Sequence, residues 1–275
     1  MANESPAERF ASTESYYAEY RPGYGEALFD DLAERFALDG DARVLDLGCG
    51  AGQLALPLAA RAGEVLAMDP NERMLAHARR RAAEAGVENV EWVVGSDAEF
   101  DPSMGPFRLT TMGRSSHWMD QERTLERLSR ATEPGGGIAL VTDREWLTKG
   151  TADWQAAVYE VATRYLDDLP ERVEPETVTY DDPWDEKLRA FGFGDVETLT
   201  FAVDREWAVD AVVGYVFSLS FCSPARFGDD AAAFEADLRG RLARFDRERF
   251  DQRATVEAVV GSWSSTAESA SGPAR

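Results

Sequence analysis

The apolar residues of the first half of the chain fall into two alternating spacings. In EALFDDLAERFAL (26–38) they recur every three or four positions, which predicts an amphipathic helix. In RVLDL (43–47), EVLAM (64–68), VEWVV (90–94) and FRLTTMG (107–113) they cluster over four to seven residues, as buried strands do. Between these runs the helical spacing returns at 53–61, 71–85 and 120–131, and EPGGGIALVTD (133–143) reads as a turn entering a fifth strand. Strands that alternate with helices predict a doubly wound, mostly parallel α/β sheet.

The second half is less regular. Helical spacing is visible at 150–169, in EKLRAF (186–191), at 208–220 and at 230–246. Two further strands are predicted, at 195–207 and in RATVEAVVG (253–261). The acidic, proline-bearing stretch 170–183 reads as a surface loop, and the small polar tail 263–275 as a disordered end. The expected organisation is an N-terminal helical lid and first helix (1–40), a ligand-binding core (41–145), and the remaining strands with helical insertions (146–262).

Composition narrows the function. The formal charge is −22, from 51 acidic and 29 basic residues, and only Lys149 and Lys187 are lysines. A phosphate backbone requires a basic stripe, so nucleic acid is not an expected partner. Acidity with scarce lysine fits either a salt-loving microbe or a GC-rich genome. No apolar run is long enough to span a membrane. The opening MANESPAERFASTES has neither a basic start nor an apolar stretch, which reads against a secretory signal. Cys49 and Cys222 are the two cysteines, which fits a reducing cytoplasm better than a disulfide framework.

The candidate chemistry centres on VLDLGCGAGQLALPLAARAGEVLAMDP (44–70), in which three glycines crowd one bend and Asp69 follows Asp46 at the end of the next strand. Glycine lets backbone N–H groups approach a ligand closely. A dinucleotide site needs G-x-G-x-x-G, but position 53 is glutamine. The run Asp46-Leu47-Gly48-Cys49-Gly50-Ala51-Gly52 instead matches D-x-G-x-G-x-G. Over roughly residues 16–143 the chain therefore resembles the Rossmann-like (class I) S-adenosylmethionine-dependent methyltransferases of the small-molecule type.

The resemblance implies a seven-stranded Rossmann-like sheet with its last strand antiparallel, the cofactor S-adenosyl-L-methionine with S-adenosyl-L-homocysteine as product, and no metal. It places Asp46, Gly48, Cys49, Gly50 and Gly52 against the methionine part of the cofactor. Asp69 accepts from the ribose hydroxyls, or else caps the following helix. Pro70 and Met74 flank the adenine, although Met74 on a helical stripe fits a core equally. Asp97 accepts from the adenine amino group, with the Ala98 N–H at the ring; the bland reading is a surface aspartate. Gly113 ends the fourth strand at the ligand crevice.

Beyond it, MGRSSHWMD carries His117 and Trp118. His117 is either a general base or part of the wall, and Trp118 a face for the acceptor. The opening SYYAEYRPGYG resembles relatives in which this segment covers the cofactor, which makes Tyr17, Tyr20 and Arg21 candidates, with Arg21 for the methionine carboxylate. The alternative is a hydrophobic staple on the first helix. Trp154, with Tyr159, Tyr165, Tyr215 and Phe217, reads as acceptor wall or as core.

No His/Cys/carboxylate cluster has metal-ligand spacing. There is no N-P-P-Y after the fourth strand and no Pro-Cys nucleophile. The expected reaction is methyl transfer to the O, N or C atom of a small molecule by in-line displacement. A nicotinamide oxidoreductase, or a protein that binds the cofactor without turnover, would share the first half of the pattern.

Overall fold

In the computed structural model, the described residues are 13–143, 147, 152–167, 169 and 183–263. In chain order they form α1 (Glu14–Tyr20), α2 (Glu26–Arg35), β1 (Arg43–Leu47), α3 (Ala55–Ala59), β2 (Glu64–Asp69), α4 (Glu72–Ala85), β3 (Val90–Val94), β4 (Phe107–Gly113), α5 (Gln121–Ala131) and β5 (Thr132–Asp143). The second half adds α6 (Asp153–Ala162), α7 (Trp184–Ala190), β6 (Phe193–Ala208), α8 (Val209–Phe217), α9 (Pro224–Phe227), α10 (Ala231–Leu242) and β7 (Arg249–Trp263). All strands join one seven-stranded sheet of order β3-β2-β1-β4-β5-β7-β6. β7 runs antiparallel to both neighbours while the other pairs are parallel.

The expected Rossmann-like α/β sheet is thus present, and the helix termini follow from local chemistry. The Asn71 side chain accepts from the N–H groups of Arg73 and Met74 and starts α4, which Gly86 ends in the left-handed region at φ 68°. Asp120 caps α5 through the Arg123 N–H. Three elements differ from the sequence reading. The helix after the glycine turn is short, Ala55–Ala59, because residues 52–54 belong to the turn. The segment 133–137, read as a turn, already belongs to β5, which pairs with β4 at Phe107↔Thr132 and Leu109↔Gly137 around a register shift. β7 extends four residues earlier than RATVEAVVG because β6 offers a partner along its length, from Phe193↔Trp263 to Ala208↔Arg249.

Apolar faces fill both sides of the sheet. Leu28, Phe29 and Leu32 of α2 pack with Val44 and Val65 on one side. Leu45, Leu47, Phe107, Leu125 and Leu128 pack on the other. A third cluster lies beyond the sheet's C-terminal half, where α6, α8 and α10 contribute Trp154, Val158, Val212, Val216, Phe217, Phe234 and Leu238. Of the stretches 170–183 and 263–275, read above as surface loop and disordered end, residues 170–182 and 264–275 lie outside the described residues, while Pro183 precedes α7 and Trp263 ends β7. Among the described residues no helix is long and apolar enough to cross a membrane.

Candidate active site

β1 and β4 are neighbours in the sheet although far apart in sequence, so their connections leave on opposite faces and open a crevice at their carboxyl ends. The turn after β1 is tied to β2: the N–H groups of Gly48 and Cys49 both donate to the Met68 carbonyl, at 2.8 and 3.0 Å. The next N–H, of Gly50, donates to Asp69 Oδ2 at 2.8 Å, and the Asn71 N–H donates to Oδ1 at 2.8 Å. Gly48 (φ 74°) and Gly50 (φ 54°) lie in the left-handed region that favours glycine. A Cβ on Gly48 would also collide with Ser115.

The cleft so formed has a volume of about 330 Å³, within the range of small-ligand sites. Asp69, Pro70 and Asn71 line it from the end of β2, Ser96 and Asp97 from β3, and Arg114 and Ser115 from β4. Tyr17, Met74, Trp118 and Met119 close it with apolar surface. Burial pushes the Asp69 carboxyl up from the ordinary carboxylate range, against the pull of the Asn71 and Gly50 N–H groups. Asp97 Oδ2 accepts from the Asp120 N–H at 3.1 Å and Thr124 Oγ1 at 3.3 Å, which fixes it to the start of α5.

Asp46 lies beneath the turn, away from the cleft. It is 1 % exposed, and its carboxylate accepts from the Ala55 N–H at 3.0 Å and from Thr111 Oγ1 at 3.0 Å. Burial pushes its pKa up to about 7. It lines a second, small void with Cys49, Gln53, Tyr24, Tyr17 and Gly113. The side chain of Gln53 is buried there, and its Nε2 has no hydrogen-bond partner among the described residues.

The sequence candidates therefore divide. Gly48, Gly50, Asp69, Pro70, Met74, Asp97, Gly113, Tyr17 and Trp118 meet in the cleft. Asp46 and Cys49 face its underside, where burial pushes the Cys49 thiol well up. Gly52 does not line the cleft; Trp92 and Leu56 occupy the space beside its Cα. Ala98 is exposed, and its carbonyl accepts from Arg127 at 2.8 Å, outside the lining.

Four further candidates lie outside the cleft lining. Tyr20 lies against Gly214 of α8 and Tyr16, because α1 packs on α8 rather than spreading over the cleft. Arg21 is half-buried, donates to the Ser218 carbonyl at 3.2 Å, and stacks on Tyr17 and Tyr215. His117 is exposed; its ring centre is 4.9 Å from that of Trp118, and it does not line the cleft. Trp154 is 1 % exposed, donates to the Asp251 carbonyl at 3.2 Å and packs on Phe250, so it is core. The sequence reading missed Arg114, Ser115, Asn71 and Met119. The signal for the first two was their position immediately after β4.

Residues 44–136 match the family model of a methyltransferase domain. An uncharacterised methyltransferase-like protein of Schizosaccharomyces pombe is 25% identical over 223 residues, 80% of this chain and 81% of that one. An uncharacterised methyltransferase of Mycobacterium tuberculosis is 30% identical over 172 residues, 62% of this chain and 65% of that one. A solved candidate type II methyltransferase from Anaeromyxobacter dehalogenans superposes with a TM-score of 0.58 at 26% identity, over 89% of this chain and 98% of that one. With its glycine turn tied to β2 and its single antiparallel strand β7, the chain carries a methyltransferase domain over residues 44–136 in a sheet like that of the Rossmann-like (class I) S-adenosylmethionine-dependent methyltransferases.

Proposed function

We propose that the cleft binds S-adenosylmethionine with Asp69 at the ribose, and that the methyl group goes to a nucleophilic O, N or C atom of a small molecule. The observation that carries this reading is the Asp69 carboxylate, held by the Gly50 and Asn71 N–H groups on the cleft wall. Each carboxylate oxygen accepts one backbone hydrogen bond and retains a further acceptor site for a hydroxyl. The remaining lining suits the rest of the cofactor. Pro70, Met74 and Met119 offer apolar surface for a flat base, and Asp97 keeps Oδ1 for its amino group. The glycine turn brings backbone close to the amino-acid part, where the orphaned Gln53 Nε2 supplies a donor beneath it.

When bound, the cofactor supplies an electrophilic sulfonium methyl group that an acceptor lone pair takes in line. The chain's own task is then to position, to exclude water and to leave the acceptor's lone pair unblocked. Tyr17 and Trp118 wall the cleft for that purpose, and an aromatic face also attracts a cationic sulfur. Among the described residues, the two carboxylates of the lining, Asp69 and Asp97, are assigned on this reading to the cofactor.

Relatives named for ubiquinone biosynthesis O-methylation and for tRNA guanine N7-methylation both align with parts of this chain. The small-molecule reading is favoured here by the net charge of −22, which repels a polyanion, and by the cleft's modest volume. Two buried free cysteines fit the same proposal in a reducing cytoplasm. Calorimetry tests the cofactor site: S-adenosylhomocysteine binds, NAD does not, and Asp69→Ala weakens the binding more than tenfold. An unchanged affinity in Asp69→Ala removes the ribose role. Binding without turnover across a broad acceptor panel would favour a non-catalytic protein.

A further inference from the structure

Arg114 is a cation on the wall of a cleft in a strongly acidic protein. It follows β4 directly, with its backbone in the left-handed region at φ 54° and its N–H bonded to the Val141 carbonyl at 3.0 Å. A non-glycine residue held there is uncommon and concentrates at functional positions. Its Nη2 donates to Asp143 Oδ2 at 3.2 Å, and its side chain is 12% exposed. The same Oδ2 accepts from Arg205 Nη1 at 2.6 Å. Among the described residues that is the one ion pair of either arginine, so two guanidiniums share one oxygen of one carboxylate.

The local balance is therefore positive where the chain as a whole is negative. The neighbouring rings do not offset it: Tyr24, 5.3 Å from the Arg114 guanidinium, is a phenol that burial holds neutral. Nε of Arg114 and Nε of Arg205 are both buried without a hydrogen-bond partner. Burying guanidinium donors in this state is costly unless something negative meets them. Arg205 cannot supply that contact in the cleft, because its remaining reach goes to the Gly23 carbonyl at 3.0 Å. Arg114 can, because it lines the cleft.

We propose that Arg114 receives a carboxylate of the methyl acceptor, with Asp143 and Arg205 as positioning residues, so that the enzyme methylates a small organic acid. This rests on the cofactor reading above. Asp69 ends β2 and Arg114 follows β4, two strands away across β1, a separation of about 10 Å in the sheet. The ribose end and the arginine end are then opposite ends of one cleft, with Ser115, Trp118 and Met119 beside the arginine. A carboxylate there meets a planar fork that can make two parallel bonds, which an ammonium cannot.

The test uses the full chain saturated with S-adenosylhomocysteine and titrated calorimetrically at low salt with benzoate and succinate, beside benzamide and succinamide. At least one carboxylate binds and its carboxamide does not. Arg114→Gln weakens that carboxylate at least tenfold, Arg114→Lys retains part of the affinity, and both keep S-adenosylhomocysteine affinity within threefold. Thermal melting of both variants checks that they are folded. Failure of every carboxylate to bind, or equal affinity in Arg114→Gln, overturns the proposal. A tenfold loss of S-adenosylhomocysteine in the folded variants also overturns it, since Arg114 would then serve the cofactor. If wild-type protein does not bind S-adenosylhomocysteine at all, it is the cofactor reading that fails.

Discussion

Replacing Asp46 by asparagine separates the architectural carboxylate of the glycine motif from the cleft-facing ones, Asp69 and Asp97. Asp46 is 1 % exposed, and burial pushes its pKa up to about 7. In an unfolded chain the same group titrates near 3.9. Between about pH 4 and pH 7 the folded state therefore keeps a proton that the unfolded chain has released. Raising the pH through that window erodes stability. Three pH units at about 1.4 kcal/mol each give a loss of about 4 kcal/mol by pH 8.

Asparagine fits the same hydrogen bonds. Its carbonyl accepts the Ala55 N–H, its amide donates to Thr111 Oγ1, and the Thr111 hydroxyl turns to the Leu45 carbonyl, 3.4 Å away. It carries no charge to desolvate. The assay is urea unfolding of wild type and Asp46→Asn at half-unit steps from pH 4.5 to 8.5. Across this window, which opens above the unfolded pKa, the stability of the variant relative to wild type should rise with pH by about 3 kcal/mol, most steeply below pH 7. Other titrating groups, Asp69 among them, are common to both proteins and largely cancel. A difference that stays flat across the range refutes the argument, because the carboxylate would then be ionised at no cost. Affinity for S-adenosylhomocysteine should change little, since Asp46 lies under the turn.

Two other substitutions test the relocated candidates. His117→Ala should leave S-adenosylhomocysteine affinity and turnover within a few-fold of wild type, because the imidazole is exposed and outside the cleft lining; a loss above tenfold in turnover alone would restore it as a base. Trp154→Ala should cost about 3–5 kcal/mol in urea unfolding through the cavity it leaves beside Phe250, without moving cofactor affinity at temperatures where the variant stays folded.

The first half of the fold was legible because each element carries its own signal. Strand runs such as RVLDL and EVLAM are buried wherever they sit, and the glycine turn needs its backbone angles regardless of distant neighbours. Asp69, which ends β2, and Asp97, three residues beyond β3, reach the cleft wall for the same local reason, since the carboxyl edge of these strands faces the crevice. Aromatic residues were harder. Trp118 and Trp154 look alike in sequence, yet one lines the cleft and the other is sealed against Phe250. A hydrophobic side chain serves wall and core by the same chemistry, so only its neighbours tell them apart.

Arginine shows the same division. The sequence offered Arg21 for an anion because its opening resembles a segment that covers the cofactor in relatives, but α1 packs on α8 and turns that guanidinium toward Ser218. Arg114 had no such marker. What brings it to Asp143 and Arg205 is the order of the sheet, which sets the end of β4 beside β5 and folds β6 back beyond β7.

The order of strands and helices, the sharp turn after β1 and the carboxylates at the strand ends were determined by the sequence by itself, because short-range backbone preference and hydrophobic spacing act within a few residues. Which charges meet across the sheet, which aromatic rings are sealed away and which cation faces the cleft were decided only by the tertiary structure. Those outcomes depend on desolvation and pairing between residues dozens of positions apart, and a charge or a ring has no fixed role until its surroundings are built.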